Sequence, residues 1–457
     1  MREKIRDLFL LQEKAVKNGQ PDYAARIDNL KKLRTAILYY EEEIYEALYK
    51  DLHKSRFEAY ATEIGFVLEE LNFHLKHLRK WMRPHRVSTP VVNFPAKSFY
   101  TYEPKGKVLI ISPWNYPFHL MIAPLIGALS AGDRVVLKPS EISANTSALL
   151  EKIINTTFDP ATVKLFTGGV DVSQELLKLP FDHVFFTGSP RVGKIVMQHA
   201  AKNMTPVTLE LGGKSPCIVD ENANLKLAAR RIAWGKLINA GQTCIAPDYF
   251  LVHKSVKKLF LDLLKDAVEK MYGPDTLNNK DYPRIITKAN VERLKTLTEG
   301  ADIYFGGKYN IEERWFSPTV LNNVTFDMPV MGQEIFGPLF PVITFDDYGE
   351  IIEKINSRPK PLALYLFTDN KRLQNRILKE ISSGGVSIND TLVHIVSPKL
   401  PFGGIGNSGT GKYHGKYSFE LFSNVKSVVK RAVWPDVPVR YAPFQSWKYK
   451  IIKFIMR

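Results

Sequence analysis

Between Asp22 and about Arg83, apolar residues recur every three or four positions among Glu, Lys and Ala, as in Leu30, Leu33, Ile37 and Tyr40. That period sets them on one face of a helix and predicts long amphipathic helices over this stretch. Pro84 and Pro90 end the pattern, and Val91 to Tyr102 read as extended. The period then changes. Short apolar runs at Lys107 to Ser112, Arg134 to Leu137, Thr162 to Phe166 and His183 to Thr187 alternate with helical segments such as Leu120 to Ser130 and Ser173 to Leu179. Strands alternating with helices predict βαβ units and a parallel sheet, whose ligands lie at the carboxyl ends of the strands. A second alternating region runs from Ser215 to about Asn389. Its expected strands are Phe250 to Val252, Ile303 to Phe305, Val342 to Phe345 and Ala363 to Phe367, and Val256 to Tyr272 is its helix. No internal repeat is visible, and beyond Val433 the chain becomes Pro-punctuated, aromatic and basic.

The fold class is therefore α/β, and 457 residues suffice for about three domains. The stretch Val108 to Gly132 carries no Asp, Glu, Lys or Arg and is long enough to cross a bilayer, but Pro113, Pro117, Pro124, Asn115 and His119 argue against a membrane span. Met1 to Gln20 carries charges throughout, without the apolar core of a secretory signal. Two cysteines, Cys217 and Cys244, are too few for a disulfide framework, so a reducing, cytoplasmic setting is expected.

Two phosphate-binding motifs fail on inspection. Gly188 to Lys194 matches a P-loop until its last place, where Ile195 stands instead of the magnesium-holding Ser or Thr. This excludes an NTPase, while a strand, a Gly turn and a helix from Val192 could still aim N–H groups and Ser189 at an anion. Gly404-Ile-Gly406-Asn-Ser-Gly409 spells G-x-G-x-x-G, but it follows Pro401-Phe402 rather than a strand. A Gly-rich loop closing near the site is the better reading.

Cys244 lies in Asn239-Ala-Gly-Gln-Thr-Cys244-Ile-Ala-Pro247, a polar turn where a thiol serves packing poorly; Cys217, in Pro216-Cys-Ile-Val219, reads as a buried strand residue. Glu210 is flanked by apolar residues and followed by two glycines in Thr208-Leu-Glu-Leu-Gly-Gly-Lys214. Partial burial would make it a general base; an ion pair with Lys214 is the competing reading. No H-E-x-x-H or other metal spacing occurs among the ten histidines and two cysteines, so no metal is expected.

Pro113-Trp-Asn-Tyr-Pro117, Leu137-Lys-Pro-Ser-Glu141, Phe186-Thr-Gly-Ser189, Leu209 to Lys214, Gly241-Gln-Thr-Cys244, Gln333-Glu-Ile-Phe-Gly-Pro338 and Pro401-Phe-Gly-Gly404, in this order, closely resemble the NAD(P)-dependent aldehyde dehydrogenase superfamily. The resemblance runs from about Asp22 to about Ser427. The segments Asn389-Asp-Thr391 and Gly406 to Gly415 look most like its dimeric class 3 branch, which takes medium-chain, fatty and aromatic aldehydes. The resemblance implies a Rossmann-like cofactor domain (1–82 and 103–210), an α/β catalytic domain (211–390), a small β bridging and oligomerisation element (83–102 and 391–432), and a basic tail (433–457). It assigns Cys244 as nucleophile, Asn115 with the Cys244 N–H as oxyanion donors, and Glu210 as the base that cleaves a thioester. Around NAD it places Trp114, Lys138, Glu141, Gly188, Ser189, Leu211, Glu334 and Phe336. Glu141 should repel a 2′-phosphate whereas Lys138 could offset it, so NAD is favoured and NADP stays open. Tyr116 and Trp234 are expected either in the aldehyde channel or in the core.

The formal charge is +16, and from Lys426 to Arg457 eight Lys and Arg face Asp436 alone. Within this tail Trp447, Ile451, Phe454 and Ile455 follow helical spacing with Lys448, Lys450 and Lys453 interleaved. Residues 440–457 thus suit an interfacial helix, with weak peripheral contact at the inner face of a membrane; a tail docked on the partner of a homodimer, or simply solvated, is the alternative. The remaining charge is diffuse, and no nucleic-acid partner is expected. Acyl transfer to coenzyme A would use the same thiol, but Glu210 argues for water; a silent structural protein would leave Cys244, Asn115 and Glu210 surplus.

Overall fold

The computed structural model describes residues 1–456; Arg457, the last basic residue of the tail, lies outside the described residues. Two sheets organise the chain. The first has six strands in the order Gly409–Thr410, Val207–Leu211, His183–Gly188, Lys107–Ile111, Arg134–Lys138 and Val163–Leu165, parallel except for the short first one. The second has seven, in the order Asp302–Phe305, Thr319–Asn322, Leu339–Phe345, Tyr249–His253, Pro216–Val219, Ala363–Phe367 and Gly385–Ile388, again mostly parallel. A third, antiparallel sheet joins His85–Val87, Ala96–Pro104 and Ser423–Arg431.

The charge-free stretch rejected as a membrane span supplies all but the first residue of Lys107–Ile111, in the middle of the first sheet, and then the helix His119–Ala131, buried at all thirteen positions. A helix apolar on every side must be enclosed, and the amphipathic helices Tyr23–Tyr39 and Gly65–Trp81 enclose this one. Cys217 is wholly buried in its strand, as its apolar neighbours predict. Among the described residues no helix is long and apolar enough to cross a membrane.

Some elements depart from the expectation set by periodicity. Arg2–Lys17, conspicuous in the sequence only for its charges, is a helix that lays Ile5, Leu8, Phe9 and Gln12 against the sheet, a spacing of three and four that its charges conceal. Val91 to Tyr102 is not extended throughout: Val91–Asn93 forms a 3₁₀ turn before the strand begins at Ala96. The tail, by contrast, follows the expectation: Ser446–Ile455 is a helix, with Trp447 and Phe454 45% and 84% exposed.

Candidate active site

In the first sheet, successive strands step outward from Lys107–Ile111 in one direction through Arg134–Lys138 and in the other through His183–Gly188. The chain leaves these adjacent strands on opposite sides, opening a crevice at their carboxyl ends. Trp114 and Asn115 follow the first of them, and Gly188 and Ser189 the second. Ser189 caps the helix Pro190–Ala201, its hydroxyl accepting the Val192 N–H at 3.4 Å. The suspected P-loop is thus a strand, a turn and a capped helix.

The second sheet meets this crevice with the amino ends of its strands. Val207–Leu211 carries Glu210 and passes through Gly212-Gly213 to the strand at Pro216. Lys214 pairs with Asp248 and donates to the carbonyls of Val330 and Gln333. The alternative reading of Glu210 as its partner is therefore corrected: Lys214 is engaged across the second sheet. Both Glu210 oxygens are buried and accept no hydrogen bond, and burial raises its carboxyl well above the carboxylate range, with Lys412 opposing the rise.

The turn before Cys244 is built from its own sequence. After the helix Leu225–Leu237, Asn239, Ala240 and Gly241 take φ of 52°, 50° and 77°, a left-handed run that reverses the chain. At Gly241 a Cβ would lie 2.3 Å from the Gly337 carbonyl oxygen, so only glycine fits. Gln242, fully buried, donates to the carbonyls of Asn239 and Arg284 at 3.0 Å and accepts the Ile286 N–H at 2.9 Å. Thr243 shares a 2.6 Å hydrogen bond with the Tyr116 hydroxyl. Cys244 then stands with its thiol pushed up, first by burial and then by Glu334 and Glu210, while the N–H groups of Cys244 and Ile245 oppose the rise.

Asn115 is buried beside it, its amide donating to the Gln242 carbonyl at 3.0 Å with a second N–H left to give. Its own carbonyl accepts from Asn239 Nδ2 at 2.8 Å and Lys54 Nζ at 3.3 Å. Lys54 is paired at 2.5 Å with Glu63, and both are wholly enclosed. Nothing in their sequence neighbourhood marked Lys54 or Glu63, because folding alone brings that helical segment under Asn115.

Cys244 opens onto two cavities. One, of about 680 Å³, is lined by Trp114, Asn115, Thr187, Gly188, Ser189, Glu210, Glu334 and Phe336, with Arg293 and Lys360 among residues that no sequence motif had singled out. Trp114 and Phe336 meet edge to face at 5.4 Å. The other, of about 570 Å³, is lined mainly by apolar groups, including Phe57, Phe66, Leu120, Ile245, Leu392 and Phe402. Tyr116 and Trp234 are on its wall, Tyr116 buried and Trp234 41% exposed.

The first cavity suits a dinucleotide. At Gly212 a Cβ would lie 2.0 Å from Glu334, so bare backbone borders the cleft there, and the capped helix turns its N-terminus toward it. Burial and then Asp248 raise the Glu334 carboxyl to about 8. The other expected cofactor residues stand further off. Lys138, buried at its strand end, donates to the Pro139 carbonyl at 2.7 Å and lies 3.4 Å from Glu141; neither lines the cleft. The Leu211 side chain packs beneath Gly193.

A doubly sheeted α/β protein with a thiol where a dinucleotide-sized cleft meets an apolar cavity has the architecture of a cofactor-dependent oxidoreductase. Residues 13–428 match the aldehyde dehydrogenase family. The chain is 48% identical to the 4,4′-diaponeurosporen-aldehyde dehydrogenase of Staphylococcus aureus, over 94% of each chain. It is 44% identical to the dimeric NADP-preferring aldehyde dehydrogenase of Canis lupus familiaris, over 92% of this chain and 93% of that one. Its structure matches the substrate-bound state of Staphylococcus aureus AldH with a TM-score of 0.97, 46% identity and 99% coverage of both. The chain belongs to the aldehyde dehydrogenase family. It is an NAD(P)-dependent enzyme that oxidises aldehydes to carboxylic acids.

Proposed function

We propose that the enzyme oxidises medium- and long-chain aliphatic or aromatic aldehydes through a hemithioacetal and a thioester on Cys244. The observation that carries this is the position of Cys244 on both cavities at once. An aldehyde with its chain in the apolar cavity presents its carbonyl carbon to the thiol. As Sγ attacks as the thiolate, its proton having passed to solvent water, the carbonyl oxygen gains charge where the Asn115 amide and the Cys244 N–H donate, so the charge is stabilised as it develops. Trp114, Gly188, Ser189, Glu334 and Phe336 would hold NAD or NADP, which would supply the hydride acceptor, with Lys138 and Glu141 toward its adenine ribose and Leu211 a further cofactor residue. Glu210 then takes a proton from the water that cleaves the thioester, a role for which a carboxylate made more basic by burial is suited.

On this reading residues 1–82 and 103–210 bind cofactor, 211–390 carry the nucleophile, and 83–102 with 391–432 bridge subunits. A homodimer is supported by the strand Ser423–Arg431, nine residues at a sheet edge with Val425 and Val429 exposed. Peripheral contact of residues 440–457 with anionic membrane, at its cytoplasmic face, is supported by the exposed apolar side chains of Ser446–Ile455 beside Lys450 and Lys453. Liposome sedimentation of the full chain against one ending near Val439 tests it, and equal binding would refute it.

The substrate reading is tested with straight-chain aldehydes of increasing length and benzaldehyde, run with each cofactor. kcat/KM should climb with chain length, and Cys244→Ala should form no reduced cofactor while keeping its fold. A preference for acetaldehyde over every longer chain would overturn the substrate class, and an active Cys244→Ala the nucleophile.

A further inference from the structure

A carboxylate that must be charged to act as a base, yet is enclosed without a hydrogen bond, is costly to ionise. Glu210 is in that position, both oxygens buried and unpartnered. The ionisable groups facing it are Cys244, Tyr413 and Lys412. Cys244 and Tyr413 have no positive form; Lys412 has.

Lys412 reaches this place through backbone pairing remote from Glu210 in sequence. Gly409–Thr410 adds antiparallel to Val207–Leu211, setting Gly409 opposite Glu210. Three residues on, Tyr413 exchanges two backbone hydrogen bonds with Phe402, at 2.8 and 3.0 Å. Between these two pairings, Lys412 Nζ donates to the carbonyl oxygens of Gly403 and, at 3.3 Å, of Gly384. A Cβ on Gly403 would lie 2.8 Å from Glu210 Oε1 and 3.1 Å from Lys412 Cδ, so the two side chains flank one bare Cα. His394 also faces Lys412, and burial, then Lys412, lowers its imidazole to about 4, leaving it neutral.

We propose that Lys412 is a positioning residue for the general base: its ammonium, anchored on the Gly403 and Gly384 carbonyls, stabilises the charged form of Glu210 from which the hydrolytic water is deprotonated. The inference rests on the assignment of Glu210 as that base. The Gly-rich segment, whose spelling imitates a dinucleotide fingerprint, then serves to deliver a cation to the acid that cleaves the thioester.

The test uses the full-length enzyme with a saturating aldehyde and NAD, following the burst of reduced cofactor and the slower deacylation between pH 6 and 10. Lys412→Gln keeps N–H donors for the two carbonyls and removes the charge; Lys412→Arg keeps the charge; Lys412→Met removes both. Lys412→Gln should raise the apparent pKa of deacylation by about one unit, so that deacylation falls about tenfold at pH 7 and recovers at alkaline pH with the burst unchanged. Lys412→Arg should follow the parent. A Lys412→Gln profile that superimposes on the parent, or a loss by one factor at every pH, would overturn the proposal, and Lys412→Met is held to the same criterion should the Gln variant unfold. Glu210→Gln run alongside separates the two assignments: if it deacylates like the parent, the base reading itself fails, whereas slow deacylation in Glu210→Gln with an unmoved Lys412→Gln profile refutes Lys412 alone.

Discussion

Lys54 and Glu63 form a buried ion pair under the oxyanion donor, and removing one partner should cost far more than removing both. The two groups meet at 2.5 Å with neither side chain exposed. The other oxygen of Glu63 accepts the N–H groups of Phe118 and His119 at 3.0 Å each, where the buried helix begins. Lys54 also stands 3.9 Å from the centre of the Tyr116 ring. Lys54→Met keeps most of the stem volume, so no cavity opens, but it strands a carboxylate that retains only two N–H donors. Breaking a buried pair in this way costs about 3–5 kcal/mol. Adding Glu63→Gln removes the stranded charge while the carboxamide oxygen still accepts both N–H groups, so the double variant should regain roughly 2 kcal/mol or more over the sum of the single losses. Urea unfolding of the parent, both single variants and the double, read by fluorescence and circular dichroism, closes the cycle. Turnover of the double variant should stay close to the parent, because Asn239 still holds the Asn115 carbonyl at 2.8 Å. Strict additivity, or a Lys54→Met loss below about 1 kcal/mol, would refute the reasoning.

Three further outcomes are expected. Asn115→Ala should lower turnover by about two to three orders of magnitude with little change in unfolding if, as proposed, its amide donates to the developing oxyanion; a rate within twofold of the parent would exclude that role. Gly212→Ala should raise the KM for cofactor more than it lowers kcat, because its Cβ would lie 2.0 Å from Glu334, and an unchanged KM would show the cleft wall to be unused. Asp133 is enclosed, and burial raises its carboxyl from 3.8 to about 8 although Oδ1 accepts the Gly106 N–H at 2.9 Å. The folded chain therefore holds this proton between pH 4 and 8 where the unfolded chain releases it, so Asp133's contribution to stability falls as pH rises through that window. Asp133→Asn should remove that part of the slope, and a parent and variant with parallel pH profiles would contradict the assignment.

Periodicity sufficed for the strands at the centres of both sheets and for the helices around His119–Ala131, because buried strands and amphipathic helices write their environment into neighbouring residues. Motifs carried Cys244, Asn115 and Glu210 for a related reason: the left-handed Asn239-Ala-Gly turn and the Gly212-Gly213 passage are local demands on particular residues. The helix Arg2–Lys17 is hidden in the sequence because four core-facing positions are diluted among charges.

What tertiary structure alone decided is which distant groups share a space. Lys214, four residues from Glu210, turns away to Asp248, while Lys412, two hundred residues on, comes to face it. Strand pairing has no local signature in sequence, so the partner of a buried charge is set by sheet register rather than by proximity along the chain. The same holds for Lys54 and Glu63 beneath Asn115, and for the meeting of two cavities at one thiol. Sequence determined the chemistry this protein carries; the packing of one sheet's carboxyl ends against the other's amino ends determined its electrostatic surroundings.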